Sequence, residues 1–235
     1  MSLVKTAFFC FSGLAFLATL WLYLRIPETK RGATNPGLRV LFTGLKPLLG
    51  NLNFVLISAV ALATLFTLAG TQLTIVPLLG YERFNLTRGQ VGLALTLVAI
   101  MQLILVLIAG WLSDRFGRKK LIVPGSLIAV LGLVMFALSP SYSFYLTSAV
   151  VLGIGRGVGG PVPTAYAADI APPGNYENTM AIYRLASDSG FILGPIILGL
   201  FKDTSGLDLP FFFSALLLFV PVALFGVLAK ETIER

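Results

Sequence analysis

Histidine is absent from this sequence, and cysteine occurs once, as Cys10. A single cysteine excludes an internal disulfide, and the lack of histidine removes the commonest metal ligand and the usual acid–base group near neutral pH. No constellation of paired carboxylates replaces them. We therefore expect a protein that is not an enzyme and that carries neither a cofactor nor a metal site.

Charged residues are also scarce. They make up 11% of the 235 residues, whereas 57% are hydrophobic and the mean hydropathy is +0.91. This balance excludes an ordinary soluble domain and predicts an integral membrane protein in contact with the lipid bilayer. Basic residues outnumber acidic ones by 17 to 10. Because they cluster beside apolar runs, they predict cytoplasmic loops and no nucleic-acid partner.

Seven apolar runs are long enough, at about 20 residues, to cross about 30 Å of hydrocarbon as helices. They predict an all-α membrane protein, a polytopic helical bundle of about seven transmembrane helices. The runs lie near residues 7–24, 52–79, 91–111, 121–138, 144–168, 179–200 and 210–229.

Two basic stretches, residues 25–51 and 112–120, determine the expected orientation. If both are cytoplasmic, the C-terminus is cytoplasmic too and the N-terminus lies outside. An external N-terminus is unusual without a signal peptide, so we expect further residues to precede Met1 in the complete protein. The predicted location is the cell membrane, either a plasma membrane or a bacterial inner membrane.

The densest charge cluster is residues 110–120, with the sequence G-W-L-S-D-R-F-G-R-K-K. It resembles the signature loop of the major facilitator superfamily (MFS) of secondary transporters, G-x-L-x-D-R-x-G-R-[KR]-[KR], and fills every fixed position. Three further stretches are similar to that family: the glycine-rich residues 153–157, G-F-I-L-G-P at 190–195 and P-E-T-K at 27–30. The resemblance covers nearly the whole chain.

The resemblance implies the MFS fold, in which twelve helices form two bundles of six. The spans then correspond to helices six to twelve. Residues 1–25 form a helix similar to the sixth, 26–51 a basic cytoplasmic linker and 52–235 the C-terminal six-helix half. In the alternative register, which the complete signature favours, residues 52–235 form the N-terminal half behind an extra helix. We prefer the C-terminal half because P-E-T-K and a long basic linker are typical of the join between halves.

The implied function is secondary active transport of a small molecule by alternating access, and G-x-x-x-G-P favours export of a drug-like compound or metabolite by proton antiport. In the signature, Asp114 can accept hydrogen bonds from a neighbouring helix start, and Arg115 and Arg118 can reach carboxylates or carbonyl groups. Gly110 and Gly117 allow sharp turns and close approach. The resemblance implies a conformational latch; the alternative is an anchor that only keeps the loop inside.

Charges within the predicted spans are costly unless they are paired or hydrated. Arg156 and Asp188 lie at similar depths on consecutive spans. We expect them to form a buried pair or to face one aqueous cavity, with Arg184 competing for Asp188 from one helical turn away. A static ion pair without substrate contact is the alternative. Asp188 is the candidate to carry a coupled proton.

Small residues recur at helical spacing in two spans. Gly153 and Gly157 in one, and Gly190 and Gly194 in the other, follow the small-xxx-small pattern that permits close helix packing in lipid. Pro195 adds a place where the helix can bend. These residues predict tight packing or a hinge.

Thr71, Gln72 and Gln102 are uncharged polar residues within predicted spans. Such side chains suit a mostly apolar substrate cavity, where a few polar groups orient the ligand. Ordinary hydrogen bonds between helices explain them equally well. They are candidate cavity residues.

Two alternatives to an intact transporter remain. A seven-helix receptor fits the span count, and D-R-F at 114–116 is similar to the D-R-Y of such receptors; the complete signature and the single cysteine argue against it. The other is a truncated or split transporter that is inactive without its N-terminal half. Such a chain would pair with a separately made half or form a homodimer.

Overall fold

The computed structural model describes residues 2–25 and 47–232. The P-E-T-K stretch and most of the predicted linker lie outside the described residues. The chain divides into two compact units, Met1–Gly37 and Leu38–Arg235. In the first unit, helix α1 (Ser2–Arg25) exposes every side chain described from residue 8 onward, and its window Phe8–Arg25 is long and apolar enough to cross a membrane.

The second unit is a bundle of helices, and none of its described residues lies in a strand. This confirms the predicted all-α membrane fold. In chain order the elements are α2 (Leu52–Phe66), a π-helical segment (Thr67–Ile75), α3 (Val76–Phe84), α4 (Arg88–Phe116), α5 (Lys119–Ala137), α6 (Tyr142–Gly159), α7 (Val162–Asp169), α8 (Tyr176–Ser205) and α9 (Asp208–Leu228).

Five stretches of this unit are long and apolar enough to span a membrane, which gives six with α1 among the described residues. One of them, Leu52–Phe84, combines α2, the π-helical segment and α3. The apolar run predicted at 144–168 is divided between two shorter helices, α6 and α7, which are separated by Gly160 and Pro161. Proline lacks a backbone N–H, so the helical hydrogen bonds are interrupted there.

The helices of this unit pack side by side in the order α4, α6, α5, α9, α2 and α8. Small residues allow the closest contacts. A Cβ atom at Gly132 would lie 2.7 Å from the backbone nitrogen of Leu152, and one at Gly125 would lie 2.6 Å from that of Gly159. Because no side chain fits, α5 and α6 approach backbone to backbone, as helices in membranes often do.

Local signals end and begin the helices between which the chain turns. Asn85 adopts a left-handed conformation with φ 50° and ends α3. Thr87 and Gln90 form a reciprocal capping box at the start of α4, and the Ser141 side chain accepts from the N–H of Phe144 at the start of α6. Such caps satisfy the free N–H groups of a first helical turn, so these short turns are well determined.

Candidate functional site

The signature sequence occupies the end of α4, the turn after it and the start of α5. α4 continues through Phe116, so most of the expected signature loop is helical, and only Gly117 and Arg118 lie between the two helices. Gly117 has φ +106°, a conformation that residues with side chains disfavour. A Cβ atom there would also lie 2.6 Å from Oε2 of Glu231. The turn therefore depends on glycine.

Arg118 joins the two signature helices to a third. Its guanidinium forms an ion pair with Asp169 at the end of α7, and another at 3.3 Å with Asp114, one turn back on α4. It also donates to the second oxygen of Asp169 at 3.3 Å. The Asp114 side chain is 70% exposed and that of Asp169 is 30% exposed. Since solvent weakens ion pairs, the contact with Asp169 is the stronger one.

Glu231, just beyond α9, caps the start of α5. Its Oε1 accepts from the backbone N–H groups of Arg118, at 2.9 Å, and Lys119, at 3.3 Å. The first N–H groups of a helix lack partners within the helix, and the helix dipole favours a negative charge there. The sequence predicts this capping role for Asp114, whereas the structure places Glu231 there and pairs Asp114 with Arg118.

Further hydrogen bonds hold the segment after α9 against the bundle. The Lys119 side chain donates to the carbonyl of Ala229 at 2.7 Å, and the Tyr166 hydroxyl donates to that of Lys230 at 2.5 Å. The N–H of Lys230 donates to the side chain of Asn53 at 3.1 Å. The segment therefore contacts α5, α7 and α2. We use the name signature cluster for Asp114, Gly117, Arg118, Asp169 and Glu231.

Two of the expected latch residues lie outside this cluster. The guanidinium carbon of Arg115 lies 5.2 Å from the ring centroid of Trp111 and 5.9 Å from that of Phe116, and within the described ranges Arg115 forms no ion pair. A Cβ atom at Gly110 would meet nothing within 4 Å. Gly110 therefore does not mediate a close helix contact, and Arg115 packs on its own helix.

Charged residues at the other end of the bundle make a second set of contacts. Arg83 pairs with Asp208 and donates to the carbonyl of Ala137 at 3.1 Å, and Glu82 pairs with Lys202 at 3.0 Å. We use the name opposite-end cluster for the four charged residues, which join α3 to α8 and α9. Sequence reasoning missed them because single charges beside spans carry no spacing that relates one to another. Across the described part of the chain, no group of three metal-ligating side chains converges.

Arg156 is buried in the bundle, with 6% of its surface exposed. It donates to the Thr67 hydroxyl at 3.1 Å, and its Nε has no hydrogen-bond partner. A void of about 10 Å³ adjoins it, with Thr64 and Ser126 in the wall. The buried pair that we expect between Arg156 and Asp188 is not formed among the described residues, because the guanidinium faces the hydroxyl of Thr67 instead.

Arg184 and Asp188 line one cavity of about 230 Å³ between α2, α7 and α8. They lie one turn apart on α8, yet neither forms an ion pair with the other or with a further described residue. The cavity wall also carries four hydroxyl groups, of Thr64, Thr164, Tyr183 and Ser187. The structure thus brings Arg184 and Asp188 to one cavity and places Arg156 outside it.

The three polar cavity candidates lie elsewhere. Thr71, in the π-helical segment, is fully buried and donates to the hydroxyl of Ser214 on α9 at 2.7 Å. Gln72 is also buried, and its Oε1 has no hydrogen-bond partner. Gln102 is half-buried in α4, where its backbone contacts Gly157. None of the three lines the cavity of Arg184 and Asp188. Thr71 instead forms a hydrogen bond between helices, the alternative role for such a residue.

Gly190 and Gly194 of α8 lie against α2 and the segment that follows it. A Cβ atom at Gly194 would lie 2.5 Å from the carbonyl oxygen of Phe66, and one at Gly190 would overlap that of Leu62. Pro195 lies within α8, which continues past it. These positions pack backbone against backbone, so no side chain can be added without moving a helix.

Gly153 and Gly157 of α6 lie against α4. A Cβ atom at Gly153 would lie 2.7 Å from the carbonyl oxygen of Val98, and one at Gly157 would lie 2.6 Å from Cβ of Leu105. All four predicted glycines therefore occupy close helix contacts.

Comparison with known proteins identifies relatives of the chain. Multidrug resistance protein 2 of Bacillus subtilis (strain 168) is 33% identical over 150 residues, which are 64% of this chain and 37% of that protein. The Bacillibactin exporter of the same strain is 31% identical over 152 residues, 62% of this chain and 37% of the exporter. Quinolone resistance protein NorA of Staphylococcus aureus is 32% identical over 133 residues, which are 57% of this chain and 34% of that protein. The chain thus spans well under half the length of these relatives.

Solved structures share the fold. A peptide transporter POT in complex with alafosfalin has a TM-score of 0.66 at 19% identity, covering 73% of this chain and 37% of the transporter. A bacterial homologue of the human drug peptide transporters has a TM-score of 0.64 at 20% identity, covering 76% of this chain and 42% of the homologue. The sequence pattern of the Major Facilitator Superfamily matches residues 60–233. This match rules out the receptor alternative and agrees with a transporter rather than an enzyme. Because it covers most of the sequence, the chain belongs to the Major Facilitator Superfamily.

Proposed function

We propose that the chain is part of a secondary active transporter that moves a small molecule across a membrane by alternating access. Family membership and the candidate spans support transport. The proposed mechanism rests on the contacts of the signature cluster. It joins the α4–α5 turn to the end of α7 and to the segment after α9 through a few polar contacts.

The signature cluster is suited to hold its end of the bundle in one conformation. The Arg118–Asp169 pair and the Glu231 cap each join the α4–α5 turn to an element that is distant in sequence, so movement of the turn away from both elements breaks both contacts. Charge-assisted hydrogen bonds are individually stronger than neutral ones, and they re-form without new covalent chemistry. Such contacts can stabilise one state of the transport cycle and be absent from the other.

The proposed orientation places the signature end in the cytoplasm. Arg115, Arg118, Lys119 and Lys120 lie there beside the ends of two spans, as basic residues do on the cytoplasmic side. The C-terminus is then cytoplasmic as well, in a plasma or bacterial inner membrane. The proposed division is a first helix at 1–25, a linker at 26–51 and a six-helix half at 52–235, which corresponds to the C-terminal half of the family's fold.

The proposed substrate is a drug-like compound or a metabolite, which the chain exports in exchange for protons. Its relatives are named for multidrug resistance, quinolone resistance and bacillibactin export. Asp188 is the proposed proton carrier, because its carboxylate lies at membrane depth and faces a cavity.

Transport measured in vesicles with and without an imposed pH gradient tests this proposal. Vesicles that contain the protein should accumulate compounds from a drug and metabolite panel only with the gradient. Asp114→Asn should lower the rate severalfold without reducing the amount of inserted protein. Asp188→Asn should remove the dependence on pH. Normal transport in the first variant would exclude a role of Asp114 in the latch, and an unchanged pH dependence in the second would exclude the proton role.

A second proposal is that this chain supplies one half of the transporter. The chain covers 37% of Multidrug resistance protein 2, and alternating access requires two bundles that enclose a central site. The chain would then act with a separately made N-terminal half or as a homodimer. Transport that requires co-expression of an N-terminal half from a relative would support this. Full activity of the monomeric chain alone would exclude it.

A further inference from the structure

The cavity of Arg184 and Asp188 holds two opposite charges that do not neutralise each other. Both side chains are exposed, both line the cavity of about 230 Å³, and within the described part of the chain neither has an ion-pair partner. Residues four apart on a helix are neighbours and often pair. Here, each charge is available to a group in the cavity.

The depth of this pair in the membrane makes an unneutralised state unfavourable. Asp188 lies twelve residues after the start of α8 and seventeen before its end. At 1.5 Å per residue, these distances are about 18 Å and about 26 Å, which places the carboxylate well inside a hydrocarbon layer about 30 Å thick. Charges at such depth need a partner or water. The cavity is therefore a place where a ligand's charges are favoured.

The chemistry of the wall fits a small polar molecule. Its hydroxyl groups, including the Tyr183–Thr164 pair at 3.4 Å, can donate and accept hydrogen bonds. Apolar surface comes from Ala61, Leu65 and Pro163. A few polar groups among apolar ones are what small-molecule sites commonly provide.

We propose that this cavity binds a zwitterionic small molecule, with its carboxylate at Arg184 and its ammonium group at Asp188. The guanidinium group matches a carboxylate with two parallel hydrogen bonds, and a carboxylate accepts from an ammonium group. This inference rests on the proposed transport function and adds the substrate class.

A zwitterion suits the cavity better than a single ion does. A simple anion leaves Asp188 without a partner, and a simple cation leaves Arg184 without one. A cation is further disfavoured by the nearby positive charge of Arg156. Thr64 and Gly160 line both this cavity and the small void beside Arg156, so Arg156 lies behind that part of the wall. Only a ligand with both charges, about one helical turn apart, neutralises the pair.

Three probes of one shape test the inference. They are 4-(aminomethyl)benzoate, which is zwitterionic, its methyl ester, which is a cation, and 4-methylbenzoate, which is an anion. Binding to the full chain in lipid nanodiscs is measured by isothermal titration calorimetry. The zwitterion should bind at least about tenfold more tightly than either single ion, the effect of one charge-assisted hydrogen bond. Equal binding of all three, or binding of none, would overturn the inference.

Single substitutions should give a crossed pattern. Arg184→Gln should reduce binding of the zwitterion to that of the cationic ester, and Asp188→Asn should reduce it to that of the anion. Arg88→Gln and Glu177→Gln, which change exposed charges outside the cavity, should leave all three affinities unchanged. If Arg184 and Asp188 only pair with each other, the crossed pattern is absent and the inference fails.

Failure of this inference is distinguishable from failure of the proposed function, because calorimetry measures binding without transport. Probe binding with the crossed pattern but no uptake in vesicles overturns the transport proposal alone. Uptake of other compounds without any preference for the zwitterionic probe overturns the inference alone.

Discussion

Glu231 is the residue through which the segment after α9 contacts the signature. Its Oε1 accepts from three backbone N–H groups, two of them at the start of α5 and the third that of Thr232, whereas its Oε2 is buried without a hydrogen-bond partner beside Gly117. The charge is favoured by the start of α5, where the helix dipole is positive. The stabilisation therefore depends on the carboxylate and its position more than on the number of contacts.

Replacing Glu231 with glutamine should destabilise the protein modestly. The variant keeps an acceptor oxygen and loses the charge, so we expect a loss of about 1 kcal/mol, the size of a helix-cap effect. In a chain of this length, that corresponds to about 2–4 °C in the midpoint of thermal unfolding. The measurement is a thermal melt of the purified protein in detergent.

Glu177→Gln is the matched control for that melt. Glu177 lies in the first turn of α8 and is exposed, and no described residue forms an ion pair with it. Its substitution should shift the midpoint by less than the Glu231 variant does. An equal shift in both variants would show that general surface charge, and not the cap, explains the effect.

α8 is the element whose packing depends most clearly on glycines, which have no side chain. Gly190 and Gly194 contact the backbone of α2, whereas Gly199, one turn and one residue further along α8, has nothing within 4 Å of where a Cβ atom would lie. A single helix thus contains closely packed and open glycines. This contrast supplies a test within one element.

Gly194→Ala should destabilise the bundle, whereas Gly199→Ala should leave it unchanged or slightly more stable. The first places a Cβ atom 2.5 Å from the Phe66 carbonyl oxygen, and backbone cannot yield as a flexible side chain does. We expect a loss of about 1–3 kcal/mol, as for overpacked cores. The second removes only the helix penalty of glycine, up to about 1 kcal/mol. Thermal melts in detergent measure both, and equal melts would refute close packing at Gly194.

Most elements of this fold could be predicted from the sequence because they depend on local patterns. An apolar run of sufficient length becomes a helix in lipid whatever it packs against, and the signature is a contiguous motif. The division at Gly160 and Pro161 was missed because the apolar run continues across it. The predicted end of the third span near residue 111 falls short of the observed helix end, because α4 continues through residues 112–116.

The contacts of the site could not be predicted because they join residues far apart in sequence. Arg118 and Glu231 are separated by 113 positions, and Arg156 and Thr67 by 89. Charge and depth alone make Asp188 an equally good partner for Arg156. Whether Arg156 contacts Asp188 or Thr67 depends on the rotation of each helix about its axis, which the pattern of a single sequence does not specify.

Among the residues that the structure describes, the bundle has a polar cluster at each end. The signature cluster joins α4, α5, α7 and the segment after α9, and the opposite-end cluster joins α3 to α8 and α9. In an alternating-access cycle, contacts at one end favour the state closed at that end. The two clusters should therefore bias the equilibrium in opposite directions.

Arg118→Gln and Arg83→Gln should shift cavity access in opposite directions. A change of about 1 kcal/mol alters a two-state population about fivefold, and we expect a shift of this order for Arg118. The Arg83 effect should be smaller because Asp208 is 54% exposed. The measurement uses Thr164→Cys in a Cys10→Ser background and a membrane-impermeant maleimide applied to either face. Shifts in the same direction, or equal shifts in the control Arg88→Gln, would contradict the two-cluster account.

The position of Glu231 in the chain also has a consequence for biosynthesis. The ribosome makes the start of α5 more than a hundred residues before it makes the carboxylate that caps it. During that interval the first N–H groups of α5 have only water or lipid headgroups as partners. α6 to α9 therefore enter the membrane beside an uncapped α5, and the signature cluster is completed after the last of these helices has been synthesised.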